Sequence, residues 1–192
     1  MAWQKVSGRI GGFSDEDVEI AYKRRGEDML TRVMRNPGPL VNKAVKIKEE
    51  LPFYWISEED NIILCGKIDW LEYLSETDSV HIIDFKTSKK VEEETSLQLP
   101  IYYLLVQNCQ KRKVEKASYW YLELNDSLTP KELPDPQEAH EAVLKIGREI
   151  QAARRLNRFR CPSGEEGCFH CRLLEAVVNG EAEFVGTNDR KQ

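Results

Sequence analysis

Two carboxylates and a lysine carry the first chemical signal. Asp69 stands in GKIDWLE, Asp84 in VHIIDFKTSKK, and Lys86 follows two residues later. Side chains two apart on a strand share a face, so Asp84 and Lys86 point the same way as Val80 and Ile82. If the strand carrying Asp69 pairs with this one, both carboxylates reach one space. Convergent carboxylates suit Mg2+ or Mn2+, hard ions that take oxygen ligands and keep several waters. Such an ion polarises a phosphate and lowers the pKa of an attacking water. The adjacent lysine can orient that water or neutralise charge on the phosphorus. The same residues also have a plainer use, because strand-end aspartates and edge lysines are often only solvated or ion-paired. Asp84 continues the apolar Val80 and Ile82 face, where a carboxylate is costly without a positive partner. Gln98 and Tyr102 lie four apart in the helix-like run QLPIYYLL and so share a face.

Around these residues the pattern alternates between helix and strand. Ser14 to Met34 has helical spacing, with Ser14 and Asp17 as a capping pair, and Asn36-Pro37-Gly38-Pro39 ends it. Residues 40–50 read as a strand with Val41, Val45 and Ile47 on one face. Phe53 to Ile56 extends the same sheet. Ile62 to Leu74 and Val80 to Lys86 follow as strands after short turns, which suggests an antiparallel meander. Thr95 to Gln110 reads as a helix with a Thr95/Gln98 capping box. Ala117 to Leu124 is an aromatic strand, Thr129 to Pro136 a proline-rich loop, and Glu138 to Phe159 a long helix. A short helix is expected over Leu173 to Val178. The sum is an α/β (α+β) fold: a central mixed sheet flanked by helices. Residues 1–179 read as one domain and 180–192 as a polar, flexible tail.

A chain of 192 residues can bury one real core. The net charge of −5 excludes a uniformly basic nucleic-acid coat but not a local basic track. Candidate tracks are Lys111-Arg112-Lys113 and the Arg148, Arg155 and Arg158 side of the long helix. No run approaches the ~20 apolar residues of a membrane span. The first residues lack the apolar core of a secretory signal. With five cysteines and no export signal, a disulfide framework is not expected, and the default compartment is the cytoplasm. No GxxxxGK[ST] ATPase motif is present.

Taken in order, GKIDWLE, IIDFKTSKK and QLPIYYLL resemble the PD-(D/E)XK nuclease superfamily, in its RecB/AddB/Cas4-like branch. The pattern is a glycine-preceded aspartate, an Asp-x-Lys strand and a Gln-x-x-x-Tyr helix. The resemblance covers roughly residues 20–175 and implies a restriction-endonuclease-like core. It implies a metal-dependent deoxyribonuclease, exonuclease favoured, or else an inactive relative that binds DNA or a recombination or repair protein. Asp69, Asp84 and the Phe85 backbone carbonyl would hold Mg2+ or Mn2+. Lys86 would act in catalysis, with Gln98 and Tyr102 beside it. DNA is the implied partner, and a helicase or repair protein a further one.

Two departures from the family pattern stand out. The first-helix position that often carries a metal-ligating histidine is Leu30, four residues after Gly26. An acid before the core motifs, Glu50, is the candidate replacement ligand. In addition, Cys168-Phe-His-Cys171 matches the cysteine pair of the family's iron–sulfur members, but Val177 stands where a third cysteine often falls. Cys161 lies upstream instead, so Cys161, Cys168 and Cys171 form a candidate second metal site for Zn2+ or an iron–sulfur cluster. His81 alternates away from Asp84, and a structural role is expected for it.

Overall fold

The computed structural model describes residues 3–93, 96–161, 163, 164 and 167–186. Its contacts divide the chain into two compact units, residues 28–152 and residues 1–27 with 153–192.

The larger unit is built on a sheet of four strands: β3 (Trp70–Leu74), β4 (Ser79–Lys86), β5 (Val114–Tyr121) and β6 (Thr129–Lys131). β4 pairs antiparallel with β3 and parallel with β5, and β6 pairs antiparallel with β5. The sheet is therefore mixed, as expected, with a restriction-endonuclease-like arrangement. The parallel β4–β5 pair needs a crossover, which α2 (Gln98–Cys109) supplies. β4 is buried along almost its whole length because both sheet faces are covered. Val80 and Ile82 pack against Tyr103 and Val106 of α2 on one face. A separate hairpin, β1 (Phe53–Ser57) with β2 (Ile62–Cys65), turns Ile56 and Leu64 toward Leu104 of α2 and Val143 of α3 (Pro136–Arg155).

Several expectations fail in instructive ways. Residues 40–50 do not form a strand. A short 3-10 turn covers Gly38–Val41, and one bridge, Ala44 to Glu72, is all that joins the segment to the sheet as β structure. Val45 N–H still donates to Leu71 and Tyr73 N–H to Lys43, so two backbone bonds hold it as an irregular edge. The continuous strand expected over 62–74 is two strands in two sheets, broken at Gly66–Asp69. Gly66 explains the break: a Cβ there would lie 3.1 Å from Leu105 Cδ1, so the chain passes close against α2. The expected loop at 129–136 includes β6, whose Pro130 is tolerated at a sheet edge. No helix is long and apolar enough to cross a membrane among the described residues.

The smaller unit contains α1 (Glu16–Arg35) as far as Glu27, and α4 (Phe169–Val178). α1 is capped by Asp15 rather than Ser14: Asp15 Oδ1 accepts from Val18 N–H at 2.9 Å, and that bond holds the carboxyl below its usual range. Trp3 stacks on Phe13 and donates to Glu19, and Arg9 pairs with Glu183. The Thr95 half of the expected capping box and residues 187–192 of the expected tail lie outside the described residues.

Candidate functional site

Asp84, Lys86, Gln98 and Tyr102 meet where the C-terminal end of β4 faces the first turn of α2. Asp84 is 2 % exposed. One of its oxygens, Oδ1, accepts from Gln98 Nε2 at 3.0 Å. The other, Oδ2, lies 2.8 Å from Lys86 Nζ. The Lys86 ammonium is thus the partner of Oδ2, which makes no further hydrogen bond. Burial lifts the Asp84 carboxyl to about 6, against the pull of Lys86 and with a further push from the Asp69 carboxylate.

Lys86 is the most heavily partnered group. Its ammonium contacts Asp84, donates to Gln98 Oε1 and lies 3.3 Å from Glu92 Oε2. It also sits 4.8 Å above the Tyr119 ring. Burial disfavours its charge, but Asp84 and Glu92 outweigh this and raise its pKa above the ordinary lysine value. Gln98 Nε2 also lies 3.4 Å from the Tyr102 hydroxyl. Burial, with Asp69 and Asp84 nearby, raises the Tyr102 phenol as well, against the opposing pull of Gln98.

Asp69 arrives from the other side. The β3–β4 register pairs Trp70 with Ile83, and extending it by one residue sets Asp69 opposite Asp84. Asp69 itself precedes the strand and is exposed. Its Oδ2 accepts the Phe85 N–H at 3.0 Å, which fixes the carboxylate at the backbone next to Asp84. Glu50 lies on the groove that also contains Asp69. Its carboxylate is 95 % exposed and 3.9 Å from Lys67, and no hydrogen bond or ion pair joins it to Asp84 or Lys86. Leu30 is an exposed position on α1.

The residue that pattern reading missed is Glu92. It belongs to the loop between β4 and α2, hydrogen-bonds through its N–H to the Tyr121 hydroxyl at 3.0 Å, and pairs with Lys86. Ser96 and Lys86 hold its carboxyl below the usual range. Its only sequence signal was an acid six residues after the Asp-x-Lys lysine, within a Glu-Glu-Glu run that reads as a solvated turn.

The chemistry of the donors fits a hard divalent ion. Two carboxylates converge, Asp84 from β4 and Asp69 from the residue before β3, and beyond its Lys86 ion pair the buried Asp84 Oδ2 makes no hydrogen bond. The basic tracks are partly engaged: Arg112 pairs with Asp78 and covers the Tyr73 ring, and Arg148 pairs with Asp60. His81 is structural, as expected. It joins Glu72 and Ser118, each at 2.8 Å, while Asn42 donates to Glu72 at 2.6 Å.

In the smaller unit the sulfurs of Cys161, Cys168 and Cys171 lie within 4.8 Å of one another. Cys168 caps α4, accepting the Cys171 N–H, and Cys161 accepts the Cys168 N–H at 3.1 Å. The Ser163 N–H and the neighbouring cysteines bring Cys161 down to about 7, while Cys161 and Cys168 push Cys171 up to about 11. Three soft donors with one readily ionised can coordinate a metal ion. Cys65 and Cys109 belong to the other unit, and the Cys109 thiol donates to the Phe53 carbonyl.

The family model described as PD-(D/E)XK nuclease superfamily matches residues 4–176. No curated protein and no solved structure matches the chain.

Proposed function

The chain belongs to the PD-(D/E)XK nuclease superfamily, and from that premise we propose that it is a divalent-metal-dependent deoxyribonuclease of the RecB-like branch. The observation that carries this is the convergence of Asp69, Asp84 and Lys86, clamped by Gln98. Asp69 and Asp84, with the Phe85 carbonyl and Glu50 as further candidates, would hold Mg2+ or Mn2+. The ion supplies polarisation of the scissile phosphate and acidification of water.

The side chains do the rest. Gln98 ties Asp84 Oδ1 and Lys86 Nζ into one frame, so neither swings away. The Phe85 N–H keeps Asp69 aimed at the same space. Lys86, held charged by Asp84 and Glu92, stabilises the extra negative charge that builds on phosphorus during attack. Tyr102 presents its phenol to Gln98 and completes the polar wall. Residues 1–179 are taken as one nuclease domain. Exonuclease action is favoured, with a helicase or repair protein as a further partner.

Incubation with linear and circular DNA, single- and double-stranded, in Mg2+, Mn2+ or EDTA tests this. We expect cleavage with either ion, none in EDTA, and none by Asp84→Ala. Undiminished cleavage by Asp84→Ala removes the assignment. One observation favours a second reading: Leu30 stands where the family often places a metal-ligating histidine. A DNA- or partner-binding module without catalysis would bind in EDTA and cut in neither ion.

A further inference from the structure

Asp84 has one oxygen left to offer, and two cations compete for it. Gln98 Nε2 occupies Oδ1 at 3.0 Å, which leaves Oδ2 for a divalent ion. The Lys86 ammonium already stands 2.8 Å from that atom. Asp84 is buried, and two cations on one oxygen repel each other strongly where little water screens them. Lys86 is therefore a rival for the ion's place as well as a helper of its chemistry. The site needs a second group to hold Lys86 once Asp84 is taken.

Glu92 is placed to do this. Its Oε2 lies 3.3 Å from Lys86 Nζ. The loop that carries it is fixed at two points. The Glu92 N–H donates to the Tyr121 hydroxyl at 3.0 Å, and Tyr121 is fully buried at the end of β5, paired with Lys86 in the parallel register. Ser96 hydrogen-bonds the Glu92 carboxylate, and its hydroxyl accepts the Gln98 N–H at 3.3 Å. Glu92 is thus tied to β5 and to the first turn of α2, the two elements that frame the site. Lys131 lies 5.2 Å from the centre of the Tyr119 ring that Lys86 also faces, and its charge adds to that of Lys86 in favouring the Glu92 carboxylate. In this structure Lys86 bridges Asp84 and Glu92. It can release Oδ2 while Gln98 and Glu92 still hold its ammonium. Without Glu92, Asp84 is the carboxylate it falls back on.

We propose that Glu92 is a positioning residue that draws the Lys86 ammonium off Asp84 and so opens Asp84 to the divalent ion. This deepens the nuclease reading and rests on its placing of the ion at Asp69 and Asp84. Glu92 is not a ligand in this scheme and acts only through Lys86.

The test is Mn2+ binding to the intact chain, read by electron paramagnetic resonance without DNA at mildly alkaline pH. Asp84→Asn defines the Asp84-dependent part. Glu92→Gln should weaken that part about tenfold, because Lys86 returns to Asp84. Glu92→Asp, which keeps the charge, should recover most of the loss. Lys86→Met removes the rival and should bind Mn2+ about tenfold more tightly than wild type. In the Lys86→Met chain, Glu92→Gln should change binding by less than about twofold, since no ammonium is left to position. Thermal unfolding checks each variant, and Lys86→Gln takes the place of Lys86→Met if the latter does not fold. Equal Mn2+ affinity of Glu92→Gln and wild type overturns the proposal. An equal loss in both backgrounds also overturns it and makes Glu92 a direct ligand. So does a wild type with no Asp84-dependent binding. DNA cleavage reads the nuclease assignment separately. A wild type that shows this binding pattern but cuts no DNA would remove the nuclease reading and keep the role of Glu92.

Discussion

Gln98 spends one amide on three neighbours: its oxygen takes the Lys86 ammonium, and its nitrogen faces Asp84 and the Tyr102 hydroxyl. A carboxylate or a lysine could not replace it, because the position needs an acceptor and a donor at once. Asp84 and Lys86 are legible from spacing alone, but their mutual stabilisation is not, since it depends on burial. The same holds for His81. Its alternation away from Asp84 is visible in the sequence, whereas Glu72 and Ser118 as its partners are not. Burial holds the His81 pKa below the ordinary 6.5, against the pull of Glu72. The folded chain thus takes up this proton at lower pH than the unfolded chain. Stability from His81 is complete above 6.5 and is lost as pH falls from there through the folded pKa. Urea unfolding at descending pH should show ΔG falling by up to about 1.4 kcal/mol per pH unit in that window. His81→Gln should remove that component of the slope, and an unchanged slope in the variant would place the titration elsewhere.

At the scale of elements, the decisive piece is the break between β2 and β3. Hydropathy alone runs the two together, because Ile62 to Leu74 is apolar enough for one strand. Tertiary contact separates them, since a Cβ at Gly66 would lie only 3.1 Å from Cδ1 of fully buried Leu105 on α2. This close approach sends one half to the hairpin and the other to the main sheet, with Asp69 at the turning point. Gly66→Val should therefore destabilise the fold by about 1–3 kcal/mol through overpacking against α2. It should also displace the segment leading to Asp69. Thermal unfolding reads the first effect, and partial rescue by Leu105→Ala in the same chain would locate the strain at this contact. The β6 edge was illegible for a related reason: its three residues gain strand character only from pairing with β5.

At the scale of the molecule, the chain carries two clusters of candidate ligands in two units. The carboxylate–lysine centre lies within residues 28–152, and the three cysteines lie in the other unit. Zinc fits the thiol set by softness, with a fourth ligand still required. We expect the purified chain to hold about one zinc per molecule, released on combined Cys168→Ser and Cys171→Ser substitution. Metal analysis checks the content. Hydrogen exchange should then rise in residues 160–180 of the variant while β4 stays protected. An iron–sulfur absorbance spectrum in anaerobically purified protein would overturn the zinc assignment.

The sequence by itself determined the ingredients. Periodicity announced α1, α3 and β4 because amphipathic helices and buried strands must repeat with their own geometry. The order of Asp69, Asp84-x-Lys86 and Gln98-x-x-x-Tyr102 named the superfamily. What only the tertiary structure decided was which groups touch. The parallel β4–β5 pairing and α2 brought Gln98 over Asp84, and the loop after β4 delivered Glu92 to Lys86. Packing against α2 split the Asp69 segment. Those outcomes depend on contacts between residues distant along the chain, and local pattern does not encode which distant partner a side chain will meet.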